Sequence, residues 1–311
     1  MAAAGAVAAH ARERGRVTMN GPQAHWLGDG RRLHLNHGPI DLIVEAFGTP
    51  GECRRAYEQA VARFQTILPE LVEELPELRR PATLRPRAFA GSTARRMEAA
   101  VTPLADDFIT PMAAVAGSVA DEILAALIAG RKLDRAYVNN GGDSALHLGA
   151  GQSITLAIAG TGHGLADRIV ISAEDGVQGV ATSGWRGRSF SLGIADAVTV
   201  LARTGAEADA AATLIANAVD LANHPAIRRV PARDLAPDND LGDRLVTQEV
   251  GPLSAKEIAT ALDSGLAVAE DFRRRGLIAA SALFLAGQTR IEGSMALAAP
   301  DKSPGKEVAH A

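Results

Sequence analysis

Between residues 51 and 78 the apolar residues Tyr57, Val61, Phe64, Ile67, Leu68, Leu71 and Leu75 recur at helical spacing. The spacing predicts a helix that Pro69 should kink or split, because proline removes one N–H from the helical ladder. Upstream, residues 31–46 are rich in apolar and β-branched types and are interrupted by Asn36-His37-Gly38-Pro39, which predicts strand, turn and strand. Residues 92–105 and 112–128 read as two more helices, divided by Pro103 and by the start signal Thr110-Pro111.

The pattern then changes period. Residues 136–139, 154–158, 168–172 and 179–182 read as short strands between Gly-rich turns. Residues 190–202 are apolar apart from polar Ser191 and Thr199 and a single charge, Asp196, and fit a strand, a loop then a strand, or a helix. A helix over 206–219 follows, with Thr204 and Glu207 as a capping box, and Ser254-Ala255-Lys256-Glu257 caps a last helix that ends near Arg274. Residues 224–241, rich in Pro, Arg and Asp, read as loop, and 277–286 as a final strand. No internal repeat or low-complexity linker divides the chain. The expectation is one α+β unit over residues 21–298, with an N-terminal arm over 1–20 and a disordered tail over 299–311.

Composition narrows the function classes. At 311 residues and 47% hydrophobic the chain can bury a large core, built mostly from Ala, Leu, Val and Ile because aromatics make up only 4%. A formal net charge of -4 gives no basic footprint for nucleic acid. The single cysteine, Cys53, excludes a disulfide framework within the chain and a Cys-based zinc site, and reads as a bystander. The apolar run at the N-terminus precedes Arg12, Arg14 and Arg16, the reverse of a secretory signal. No run reaches the ~20 apolar residues of a membrane span. The location expected from these features is the cytoplasm, with no membrane partner.

Four stretches carry candidate chemistry. Asp209 and Thr213 lie four residues apart in an otherwise apolar helix, so both oxygens share one face. They fit a hard cation such as Mg2+, or a dipole-favoured carboxylate and a hydroxyl bonded back to a carbonyl. Asn139-Asn140-Gly141-Gly142-Asp143 fits an anion-binding nest or a tight hairpin turn. In Thr182-Ser183-Gly184-Trp185-Arg186-Gly187-Arg188 the arginines can clamp a phosphate and the indole can stack on a planar ligand, or both can be surface residues. Small residues around Gly117 would let a ligand or another backbone lie against the start of helix 112–128. His34 and His37 fit hydrogen bonding better than metal ligation. There is no nucleophile elbow, Walker A loop or dinucleotide fingerprint.

In order and spacing, these pieces resemble the ApbE-like superfamily of FAD:protein FMN transferases, over about residues 95–285. The similarity rests on Gly141-Gly142-Asp143, Thr182-Ser183-Gly184, Thr199-Val200, Ala208-Asp209-Ala210-Ala211-Ala212-Thr213 and, upstream, Ala116-Gly117-Ser118-Val119-Ala120-Asp121. The resemblance implies an ApbE-like fold of mixed or antiparallel sheets packed with helices. It implies Mg2+ on Asp209 and Thr213, and FAD bound by Gly117 and across the loops at Gly141, Gly142, Asp143, Thr182, Ser183 and Gly184. Family members transfer FMN to a Thr or Ser of an acceptor protein and release AMP. This chain has Ala116 where the family has lysine, and lacks the family's His-x-x-Asp-Pro-x-Thr-Gly segment. Arg186, Arg188 and Asp196 are the candidates to replace it, and the chain is most similar to a compact ApbE-related branch. The expected function is Mg-dependent FAD binding with action at the pyrophosphate. The alternatives are a non-catalytic flavin- or nucleotide-binding accessory protein and an enzyme on another small molecule of a cofactor or heterocycle pathway. The partners expected are a flavin nucleotide, an acceptor protein and a second copy of the chain in a homo-oligomer.

Overall fold

Nine antiparallel strands form the central sheet, and their apolar residues face two different layers. The computed structural model describes residues 21–157, 168–294, 297–298 and 309–310. The strands are β1 (Gln23–Trp26), β2 (Leu33–His37), β3 (Ile40–Gly48), β4 (Leu133–Asn140), β5 (Asp143–Leu148), β6 (Ser153–Ala157), β7 (Arg168–Ser172), β8 (Gly179–Ser183), β9 (Ala197–Ala202), β10 (Ile227–Pro231), β11 (Leu245–Val250), β12 (Ala280–Leu285), β13 (Gln288–Gly293), β14 (Leu297–Ala298) and β15 (Ala309–His310). The central sheet runs β1-β2-β3-β4-β5-β8-β9-β12-β13, β10 pairs with β11, and β14-β7-β6-β15 form a small sheet. The helices are α1 (Pro50–Glu73), α2 (Leu75–Leu78), α3 (Ser92–Val101), α4 (Val115–Ile128), α5 (Gly205–Ala218), α6 (Ala232–Leu235) and α7 (Ala255–Arg274).

Ala136, Val138 and Ala145 pack with α1, α3 and α4, while Ala181, Val198, Val200 and Leu283 pack with α5 and α7. The opposite face, including Tyr137, Leu146, Val180, Leu201 and Phe284, packs on Ile154, Leu156, Ile169 and Ile171 of the small sheet. β9 is buried at every position, so its residues lack the apolar–polar alternation of a half-exposed strand. Residues 190–202 accordingly resolve into a loop and then β9. The α+β architecture is as the pattern predicts.

Several local expectations are corrected. Helix α1 passes through Pro69 and ends at Glu73, so the chain breaks at Glu74 and not at the proline. Gln65 and Pro69 are both on the exposed face of the helix, so the proline ring and the carbonyl it leaves without an N–H fall on the solvent side. Residues 224–241 contain β10 and α6, because the β10–β11 hairpin draws its order from pairing with a distant segment. β1 and β13 are edge strands outside the predicted elements. Thr204 accepts from the Glu207 N–H, but the Glu207 carboxylate pairs with Arg203, which leaves half of the expected capping box. Ser254 and Glu257 form the complete box at α7.

The segment Pro111–Ile128 is long and apolar enough to cross a membrane by length and composition, and more than half of it is buried in the protein core. The expected arm, residue 158 and the tail lie outside the described residues, except Ala309 and His310 in β15, which pairs parallel to β6.

Candidate functional site

Helices α4 and α5 meet at two glycines. A Cβ on Gly117 would stand 2.1 Å from the Gly205 carbonyl oxygen, so a side chain there would separate the helices. At this contact each helix supplies a carboxylate to the other's N-terminus. Asp209 of α5 accepts from the Gly117 N–H at 3.0 Å, and Asp121 of α4 accepts from Gly205 N–H at 2.8 Å and Ala206 N–H at 2.9 Å. Unpaired N–H groups and the helix dipole favour an anion at both places.

Asp209 also faces a cavity of about 360 Å³ at the ends of β4, β5 and β8. Its wall includes Gly141, Asp143, Thr182, Ser183, Gly184, Arg188, Asp209 and Thr213. The residues from three separate stretches of sequence therefore converge. Gly141 and Gly142 form the two-residue turn of the β4–β5 hairpin, with Asn140 opposite Asp143 and φ of +66° and +124°. The hairpin expectation holds there, and the same turn borders the cavity. Asn140 donates to the Ala116 carbonyl at 3.1 Å and joins the turn to α4. Thr182 is paired across β8 and β9 with Thr199, hydroxyl to hydroxyl at 2.9 Å.

The cavity sets two half-buried carboxylates beside one another. Burial pushes the Asp143 carboxyl up, against a 3.1 Å hydrogen bond from the Thr182 N–H and the nearby Arg188 charge. Burial also pushes Asp209 well up, and the neighbouring Asp143 charge adds to the effect. Two carboxylates in one low-dielectric site cannot both ionise freely, so they retain a proton or take a cation. Among the described residues the charged groups of the wall are Asp143, Asp209, Asp240 and Arg188. The Arg188 guanidinium lies over Gly141, where a Cβ would stand 1.5 Å from its Nη2.

Other predicted residues lie elsewhere. Gly117 touches the site through its N–H to Asp209, and Gly142 completes the turn without lining the cavity. Arg186 and Asp196, two of the candidate catalytic residues, bond to each other at 2.5 Å away from the wall. Asp196 also accepts from the Ala286 N–H at 2.7 Å, which ties its loop to the end of β12. Trp185 is outside the cavity too, with the Arg186 guanidinium over its ring. His34 bonds to His25 at 2.8 Å and Asp41 at 2.9 Å, and Cys53 sits on α1 with its thiol pushed up by burial. Among the described residues no group of three or more His, Cys, Asp or Glu is placed to hold a metal. A cation at Asp209 would therefore draw on hydroxyls and ligand oxygens as well.

Asn140, Met112 and Phe190 line the cavity from stretches the sequence marks without giving them a role, and Asp240 and Leu241 escape the sequence reading. One available signal was Asn239-Asp240-Leu241-Gly242, a turn-forming sequence in which Asn239 Oδ1 accepts from the N–H groups of Leu241 and Gly242.

Known proteins resemble parts or most of this chain. A UPF0280 protein of Methanopyrus kandleri is 40% identical over 130 residues, 41% of this chain and 49% of that protein. One from Methanothrix thermoacetophila is 39% identical over 113 residues, covering 36% and 46%, and one from Methanospirillum hungatei is 33% identical over 125 residues, covering 39% and 50%. The chain spans about half the length of these curated relatives. A family model described as AbpE bacteria matches residues 24–291, and the chain belongs to that family.

Proposed function

We propose that the cavity binds FAD together with Mg2+ and acts at the pyrophosphate, in the manner of the ApbE-like FMN transferases. The observation that carries this reading is the meeting of Gly141–Asp143, Thr182–Gly184 and Asp209–Thr213 around one cavity. The donor set fits a hard cation. Asp143 and Asp209 are half-buried carboxylates, pushed up by desolvation, that a compensating positive charge would favour in the ionised form, and the Thr213 hydroxyl adds a neutral oxygen. When bound, Mg2+ supplies positive charge that neutralises pyrophosphate oxygens and polarises the phosphorus.

The residues divide the work accordingly. Asp209, Thr213 and Asp143 hold the cation. Arg188, beside Gly141, meets phosphate charge at the mouth, and its planar fork suits phosphate oxygens. Met112, Phe190 and Leu241 offer an apolar wall to a planar ring. A volume of about 360 Å³ lies at the low end for small-molecule pockets, so it encloses a phosphate group and one ring system, and the rest of a dinucleotide extends outside.

Incubation with FAD and Mg2+ tests the reading. Release of FMN and AMP by the wild type, abolished in Asp209→Ala, supports it, and no turnover counts against it.

A non-catalytic flavin- or nucleotide-binding role is the second reading. It is favoured by a wall that, among the described residues, has no His, Lys or Cys, and by the mutual pairing of Arg186 and Asp196. It predicts saturable FAD binding without product. An enzyme acting on another small molecule would bind neither way, and a thermal-shift screen of metabolites identifies its ligand.

A further inference from the structure

Asp240 is the third carboxylate of the cavity and differs from the other two in how it is held. It sits on the segment 236–244, between α6 and β11. The Asn239 side chain fixes that turn by accepting from Leu241 N–H at 2.6 Å and Gly242 N–H at 2.9 Å. The Arg244 guanidinium stacks on the Phe108 ring, 3.1 Å from its centroid, and anchors the end of the segment. Thr110, almost wholly buried, donates its hydroxyl to Asp240 Oδ2 at 2.5 Å while accepting from the Met112 N–H at 3.2 Å. A hydroxyl has one proton, and this one is directed at Asp240. The Asp240 carboxylate is thus oriented by a rigid neighbour, and among the described residues its Oδ1 has no hydrogen-bond partner.

A carboxylate repels phosphate, and the cation proposed at Asp209 already has two carboxylates. Asp240 stands next to Leu241 and bonds to Thr110, two residues before Met112, so it borders the apolar part of the wall. Its free acceptor suits an N–H or O–H of a ligand's organic half. We propose that Asp240 is a specificity-determining residue of the cavity. It accepts a hydrogen bond from a ring N–H or sugar hydroxyl of a phosphorylated ligand and discriminates that ligand from inorganic phosphates. The inference rests on the reading of the cavity as a site for a metal-bound phosphate ligand. A built acceptor left unpaired penalises any ligand that lacks the matching donor.

Calorimetry of the full chain with Mg2+ and three probes, FAD, ADP and pyrophosphate, tests it, alongside electron paramagnetic resonance titration with Mn2+ alone. The wild type should prefer at least one organic probe over pyrophosphate by about tenfold or more. Asp240→Asn still accepts from Thr110 but turns an amide N–H toward the ligand. It should erase that preference by weakening the organic probe, with Mn2+ affinity within about twofold and pyrophosphate affinity held or raised as the repelling charge is removed. Thr110→Val, which frees Asp240 to rotate, should weaken the preference in the same direction. With 2′,3′-dideoxy-ADP, loss of the Asp240→Asn effect assigns the donor to the sugar, and persistence assigns it to the ring. The proposal is overturned if the wild type does not discriminate, if Asp240→Asn still does, or if Asp240→Asn loses Mn2+. Preference for ADP without FAD binding sinks the flavin reading and leaves Asp240 supported. Binding of none of the three probes sinks both.

Discussion

Asp121 and Asp209 cap each other's helices: Asp121 on α4 accepts from the first N–H groups of α5, and Asp209 on α5 accepts from the Gly117 N–H near the start of α4. Each lies four residues after a glycine at the helix contact, Gly117 and Gly205. The reciprocal arrangement fixes the carboxylate of Asp209 at the cavity while packing the two helices closely. Asp121→Ala leaves two buried N–H groups without an acceptor and should destabilise the protein by about 1–3 kcal/mol, read from urea unfolding.

Asp121 also makes stability depend on pH. Burial pushes its carboxyl up from 3.8 to about 6, against the two backbone hydrogen bonds and the Arg96 charge. An acid raised in the folded state contributes stability that is complete below its unfolded value and is lost as pH rises through its folded value. Between pH 4 and 7 the wild type should lose up to about 3 kcal/mol relative to Asp121→Asn, which has no proton to release. Parallel pH profiles of the two unfolding curves would overturn this assignment.

Asp209→Asn separates folding from cation binding. The amide oxygen still accepts from the Gly117 N–H, and the like charge beside Asp143 is gone. Without metal, the variant should be at least as stable as the wild type at pH 7 by thermal unfolding. Its Mn2+ affinity should fall by at least about tenfold, because a neutral oxygen replaces a carboxylate ligand.

Cation affinity should itself rise with pH. Asp143 and Asp209 are both shifted upward, so binding must displace a proton wherever the pair still holds one. Mn2+ titrations between pH 5 and 8 should show tighter binding at the alkaline end, with proton uptake by the buffer during the titration. A flat profile would mean that the two carboxylates are already ionised without metal.

Gly141 and Arg188 should behave as one unit. An alanine at Gly141 must adopt φ near +66°, which costs about 1–2 kcal/mol, and its methyl occupies the place of the Arg188 guanidinium. Gly141→Ala and Arg188→Ala should each weaken Mg–pyrophosphate binding, and the double variant should bind no worse than the weaker single one. Additive losses would show that Arg188 acts independently of the turn.

Helix α1 was legible from its apolar face and α7 from its Ser254–Glu257 capping box, because both signals are local. Strand β9 was not, because burial on both faces removes the alternation that identifies a strand. The hairpin at Gly141-Gly142 and the Asp209–Thr213 face were legible as motifs, since each needs only a few adjacent residues. Arg186 and Asp196 were equally visible, yet their charges neutralise each other outside the cavity.

The sequence by itself determined the α+β class, the small-residue helices and the three polar stretches at 141–143, 182–184 and 209–213. Periodicity, turn chemistry and helix spacing are all written within a few residues of chain. Tertiary structure decided which polar groups share a cavity: it brought Asp240 and Arg188 in and left Trp185, Arg186 and Asp196 out. It also joined Asp121 and Asp209 across the α4–α5 contact, 88 positions apart in the chain. Such pairings arise where close backbone contact at Gly117 and Gly205 leaves no room for side chains, and buried N–H groups must find acceptors on the opposite helix.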